Sequence, residues 1–424
     1  MGIHIKGGRL IDPANQIDKK TDLFIDQGKV AAFGKAPGGF KVDDIIDAGG
    51  KIVMPGIIDL QARLREPGLE YKATIASETR AAAAAGITTL CLPPDTQPIL
   101  DTPAVIELIH RKNEAAGFAH IVPLGALTKG LAGEELSEMY ALKQAGCVGV
   151  SNARAPIANT LVMRRAMEYA ANFDLSIFLK PEDHSLTRNG CAHEGMISTR
   201  LGLPSIPEAA ETMAVARLLM LVEQTGVRAH FCQLSTAKAV QMIHRAQHDG
   251  LPVTADVTSH HLYLTQMDIG YFDANCHVIP PLRSQRDRDG LRQGLLNGTI
   301  SAICSDHQPH ELDAKLAPFC ESEPGISSLE TLLPLALRQA DETGLKLPEV
   351  IATLTQHPAS ILGLATGQLA VGRQADICIF DPDQHWTVDT DTLTSKGKNT
   401  PFIGWEMKAR VSHTLLAGRV VFQR

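Results

Sequence analysis

Three groups of side chains in this sequence could do chemistry by type and spacing. Ser305-Asp306-His307-Gln308-Pro309-His310 sets a carboxylate beside two imidazoles, and such a set can seed a metal site or an acid–base pair. His307 and His310 are the only plausible seeds of a new metal site. His260 and His261 are adjacent at a predicted strand end, where period-two alternation sends them to opposite sides and keeps them from lining one site. His244 and His248 share a face of an amphipathic helical run. No carboxylate in sequence completes that pair and Gly250 marks the helix exit, so a solvated face is expected. The eight cysteines lack any Cys-x-x-Cys pair, which fits buried thiols in a reducing compartment.

The elements that must position these groups alternate along the chain. Short apolar runs at Thr88–Leu92, Ser176–Leu179, Val253–Val257 and Thr299–Cys304 are separated by helical patterns, the signature of a parallel sheet wrapped by helices, most simply a (β/α)₈ TIM barrel. Residues 1–54 and 365–424 carry β-like runs with turn signals between them, as in Asp22–Gly34, Ala375–Pro382 and Leu415–Phe422. They are expected to build one small β-sandwich domain beside a barrel spanning 55–364. A net charge of −7 argues against nucleic-acid or anionic-membrane partners. No apolar h-region follows Met1 and no apolar run approaches the ~20 residues of a membrane span, so a cytoplasmic protein is expected.

Several motifs together carry a family resemblance. Pro55-Gly56-Ile57-Ile58-Asp59-Leu60-Gln61-Ala62-Arg63-Leu64-Arg65-Glu66-Pro67-Gly68, Val257–Leu262, Pro280-Pro281-Leu282-Arg283, Ser305–His310, Pro324–Thr331 and Asn399–Gly404 resemble the dihydroorotase branch of the amidohydrolase superfamily over essentially the whole chain. The resemblance implies an amidohydrolase barrel with a binuclear zinc site at its strand ends.

It also implies that the ligands of that site have changed. The two histidine positions of the opening motif are Gln61 and Arg63, the bridging carboxylate position is Ala153, and two further histidine positions are Lys180 and Gln233. Only the last acidic position survives, as Asp306. An amide is a weak oxygen ligand, a guanidinium has no acceptor, and a methyl binds no cation. The expected outcome is a chain with no metal and no cofactor. Arg63, Lys180 and Asp306 carry the same formal charge as the lost metals with their anions, so both cations are expected to fold into the vacated cavity and pair with Asp306. The competing expectation is a Lys180 that simply reaches solvent. Among substrate-binding positions, Arg65 and His310 match the family's carboxylate contacts, whereas Asp95 and Ile279 stand where it has asparagines.

Three functions compete. The chain resembles most the inactive dihydroorotase-like subunits that assemble with the aspartate transcarbamoylase catalytic chain, which implies a homodimer within a larger hetero-oligomer serving pyrimidine biosynthesis. The alternatives are a cyclic amide hydrolase using Asp306, His307, His310 and Lys180, and a module that senses a carboxylated pyrimidine through Arg65.

Overall fold

The computed structural model describes residues 1–424. Eight parallel strands form one sheet: β1 Ile57–Asp59, β2 Ile87–Leu92, β3 His120–Ala126, β4 Gly149–Ser151, β5 Ser176–Leu179, β6 Ala229–Phe231, β7 Val253–Thr258 and β8 Ala302–Cys304. Each pairs in parallel with the next. Just beyond the strand ends the ring closes, where Arg63 N donates to His307 O at 2.9 Å and His307 N to Gln61 O at 3.2 Å. The helices α1 Ile75–Ala84, α2 Pro103–Ala116, α3 Met139–Gln144, α4 Thr160–Asn172, α5 Ala209–Thr225, α6 Ala237–His248, α7 Gln285–Leu296 and α8 Leu329–Thr343 each follow one strand. This is the (β/α)₈ barrel expected from the alternation.

Residue alternation explains how the strands serve two cores. Ile58, Cys91, Phe178, Ala302 and Cys304 point into the barrel and pack together. Their neighbours Ile57, Leu90, Leu92, Ile177, Leu179 and Ile303 join the larger core beneath the helices. A strand buried on both faces reads as a continuous apolar run, which made these segments visible in sequence. Helix starts are specified locally. Thr74 and Ser77 cap α1 reciprocally, with Ser77 N donating to Thr74 Oγ1 at 3.1 Å and Thr74 N to Ser77 Oγ at 3.0 Å, and Ser284 with Asp287 does the same for α7.

The two chain ends build the second domain. A six-stranded sheet runs Arg419–Gln423, Glu406–Leu416, Ile377–Thr387, Ile52–Pro55, Arg9–Asp12, Ile17–Lys20, so three strands from the C-terminal end join three from the N-terminal end in one sheet. A four-stranded sheet of residues 2–47 closes over it, with Ile3, Ile25 and Val30 meeting Val53, Ile377 and Leu415 in a shared core. Gly86 (φ +80°), at the foot of β2, lets this domain dock on the barrel. A Cβ there would stand 2.4 Å from Cys378 Sγ.

Two expectations need correction. Cys191 and Cys320 form a disulfide with Cα atoms 5.4 Å apart, joining the connection after β5 to that after β8; sequence spacing cannot reveal that two distant loops converge. The other six cysteines are free and buried. His260 and His261 lie on a 3₁₀ turn rather than on the strand. Both are buried, with rings 4.8 Å apart. The chain leaves β7 at Thr258, whose hydroxyl accepts from His261 N at 3.2 Å, and with the strand ended its alternation no longer applies.

Candidate functional site

The residues singled out from the sequence gather where the strands end. Arg63, two residues past Gln61 and four past the end of β1, is buried at 7% exposure and bridges two acids. Its Nε donates to Asp95 Oδ2 at 2.9 Å and its Nη1 to Asp306 Oδ1 at 3.1 Å. Burial opposes its charge, but the two carboxylates outweigh that and hold its pKa above the usual value. Asp306 also accepts from Gln308 Nε2 at 3.1 Å. The expected pairing of Arg63 with Asp306 is thus present, and Asp95 joins it.

Lys180 does not pair with Asp306, which corrects the second half of that expectation. At the end of β5 its Nζ donates to Gln233 Oε1 at 2.8 Å and to Ile279 O at 3.3 Å, and it makes no salt bridge. Arg63 arrives from the adjacent β1 with a planar fork that takes Asp95 and Asp306 together. Lys180 is half-buried, and burial lowers its pKa. Gln233 Nε2 is buried with no hydrogen-bond partner.

Four of the site residues have left-handed backbones without being glycine: Arg65 (φ 64°), Ala153 (φ 48°), Gln233 (φ 49°) and Asp306 (φ 45°). Such conformations are costly for side chains with a Cβ and cluster where side chains must be aimed. The frame that aims side chains into the barrel mouth is therefore retained while the groups it aims are an arginine, a methyl, an amide and a carboxylate. These groups do not fit a zinc pair. A guanidinium occupies the carboxylates, an ammonium faces an amide, and no imidazole stands at these positions.

The histidines beside Asp306 are committed to the scaffold, which corrects the expectation that they could seed a metal site. His307 is fully buried; its Nε2 pairs with Glu78 Oε2 at 2.9 Å and its Nδ1 accepts from Ser328 N at 3.1 Å. Glu78 also accepts from Ser395 Oγ at 2.6 Å and Lys396 N at 3.1 Å. Burial raises its pKa, but these bonds, led by His307, leave it below the normal value. His310 stands between Arg65 Nη2 at 2.9 Å and Lys72 Nζ at 3.0 Å, and burial with these cations pushes its pKa down to about 2. Arg65 Nε donates to Pro309 O at 3.0 Å. Burial and Arg63 lower the Arg65 pKa to about 10. Asn399 ties the loop down, accepting from His310 N at 2.8 Å and donating to Gln308 O and Gly325 O at 3.0 Å each. His244 and His248 are exposed on α6, in keeping with a solvated face.

The one cluster of three possible metal ligands lies elsewhere, at His230, Cys232 and Asp256, and is buried. His230 is already satisfied by Thr254 Oγ1 at 2.8 Å and Asp256 Oδ2 at 2.9 Å, and Asp256 Oδ1 accepts from Gln233 N at 2.6 Å. Burial pushes the Cys232 thiol well up, away from the thiolate a metal needs. This is a structural network that shapes the Gln233 turn. Sequence reasoning passed over it, together with Lys72, Glu78 and Arg154. Arg154 was the visible signal, being a cation directly beside the altered carboxylate position Ala153.

Comparison with known proteins agrees with this architecture. A Dihydro-orotase-like family profile matches residues 50–239 and an amidohydrolase family profile residues 326–422. The chain is 48% identical over 423 residues to a dihydroorotase-like protein of Pseudomonas aeruginosa, covering 100% of both chains. It is 50% identical over 420 residues to one from Pseudomonas putida, covering 99% of both. A protein named dihydroorotase from Geobacter sp. (strain M21) is 42% identical over 423 residues, covering 100% of both. Among solved structures, the L-hydantoinase (dihydropyrimidinase) from Arthrobacter aurescens has a TM-score of 0.88 at 24% identity, covering 99% of this chain and 96% of that one. That likeness speaks for the fold. No helix is long and apolar enough to cross a membrane.

Proposed function

Because this chain belongs to the dihydroorotase-like family of amidohydrolases, we propose that it is a noncatalytic member. Its role in this reading is that of a cytoplasmic structural subunit which assembles with the aspartate transcarbamoylase catalytic chain in pyrimidine biosynthesis, as a homodimer within a larger hetero-oligomer. The observation that carries the loss of catalysis is the Arg63 bridge to Asp95 and Asp306. A zinc-bound water ionises near pH 7 rather than 15.7; without that activation the remaining base is a carboxylate already held by Arg63 and Gln308. A general base alone contributes about 10²- to 10⁴-fold, far below the ~10⁶-fold or more of typical enzymes.

The surface reading follows from what is kept. His307, Glu78, Ser328 and Asn399 specify a firm barrel body while the mouth has lost its ligands. A body retained without its chemistry is a body used for its surface. The identity to a protein named dihydroorotase supports the second reading, a cyclic amide hydrolase with an unconventional site. Elemental analysis with an assay of dihydroorotate ring closure and opening separates the two. Noncatalysis predicts substoichiometric zinc and no turnover above background; stoichiometric zinc that survives mild chelation, with enzyme-like turnover, would establish the hydrolase instead.

A further inference from the structure

Beside the Arg63 bridge lies a small cleft running from Ala153 down between the ends of β4 and β5. Its charged lining is one-sided: Arg154, Lys180 and Arg217 against Glu182 alone. Arg217 is already engaged with the loop, its Nη2 donating to Ile157 O at 3.1 Å and its Nη1 to Ala158 O at 3.3 Å. Arg154 makes no hydrogen bond and no ion pair, and Lys180 contacts only neutral acceptors. The nearby acids Asp95 and Asp306 are both taken by Arg63. Two half-buried cations therefore face one cleft whose only acid, Glu182, makes no ion pair with either.

The loop that presents Arg154 is built rather than loose. Asn152 Oδ1 accepts from Thr128 Oγ1 at 2.8 Å, and its Nδ2 donates to Ala155 O at 3.0 Å. Ala153 N donates to Ser151 Oγ at 3.0 Å and Ala155 N to Asn152 O at 2.9 Å. Ala153, which lines the same cleft, brings only a methyl to it. We propose that the cleft between Arg154 and Lys180 binds a small oxyanion, a carboxylate or phosphate group, with the guanidinium and the ammonium as its two cationic donors. The planar fork of Arg154 suits paired oxygens and the Lys180 ammonium adds a point charge. Burial lowers the pKa of both groups, and a bound anion relieves that penalty.

The test titrates the full-length chain with inorganic phosphate and, separately, with acetate, each against sodium chloride of matched ionic strength, reading thermal midpoint and calorimetric heat. The expected result is a saturable rise in midpoint with at least one of the two anions. Response to phosphate assigns a phosphoryl ligand and response to acetate a carboxylate. Arg154→Gln and Lys180→Met should each weaken binding about tenfold or more, since charge-assisted hydrogen bonds contribute roughly 1.5–3 kcal/mol. Arg154→Lys keeps the charge without the fork and should bind more weakly than wild type but more tightly than Arg154→Gln, which separates loss of the cation from loss of fold. Arg228→Gln, removing an exposed cation paired with Asp174, should leave binding unchanged. Absence of a saturable effect of either anion on the wild-type chain overturns the proposal. So does an effect that persists in both Arg154→Gln and Lys180→Met.

Discussion

Replacing Arg63 with methionine tests the charge exchange at the barrel mouth. The substitution keeps a long side chain and removes the cation that bridges Asp95 Oδ2 at 2.9 Å and Asp306 Oδ1 at 3.1 Å. Asp306 is 3% exposed and would keep only Gln308 Nε2 as a donor. Breaking a buried ion pair from one side costs about 3–5 kcal/mol, because the abandoned charge stays buried. Unfolding entropy is ~2.1 cal/mol/K per residue, or about 0.9 kcal/mol/K for a chain of this length, so the midpoint should fall by about 3–6 °C if the chain unfolds as one unit. A double variant serves as the control. Arg63→Met combined with Asp306→Asn should recover more than half of the loss, because it neutralises the stranded carboxylate. Thermal and urea unfolding at pH 7 provide the assay. A single variant within 1 kcal/mol of wild type, with no recovery in the double variant, would show that the bridge is incidental.

Other outcomes are equally specific. Burial and the nearby Lys180 ammonium lower the His260 pKa to about 3, and neither ring nitrogen has a partner. Its contribution to stability is therefore complete above the unfolded value of about 6.5 and is lost as pH falls toward 3; at pH 5 the loss is ~2 kcal/mol, and His260→Phe should remove that share of acid sensitivity in pH-dependent unfolding. Asn399→Ala strands two carbonyls and one amide and should cost about 2–4 kcal/mol by denaturant unfolding. Restoring the family's ligands through Gln61→His, Arg63→His, Ala153→Asp, Lys180→His and Gln233→His together should leave association with the transferase chain unchanged on size-exclusion chromatography, because these residues sit at the barrel mouth rather than on an outer helix.

Much of the framework was legible because parallel barrel strands are buried on both faces. Ser176–Leu179 reads as a strand and is one, whereas the run Thr299–Cys304 yields a strand only at Ala302–Cys304, its first residues serving the turn after α7. The joining of the two chain ends in one domain could be anticipated from matching β patterns, but their pairing of Ile377–Phe380 with Ile52–Pro55 could not. At the site, residue types revealed the missing ligands, since an arginine or a methyl cannot bind zinc wherever it points. Partner choice was not legible. Which cation reaches Asp306 depends on the geometry of β1 against β5, and the commitment of His307 to Glu78 depends on a contact across 229 positions of sequence.

If this barrel is kept for its surface rather than for its chemistry, the decisive experiment is co-expression with the cognate aspartate transcarbamoylase catalytic chain. The two chains should copurify as a stoichiometric complex larger than either alone, with transferase activity present and dihydroorotase activity absent. A chain that elutes alone and turns over dihydroorotate at enzyme-like rates would contradict the account.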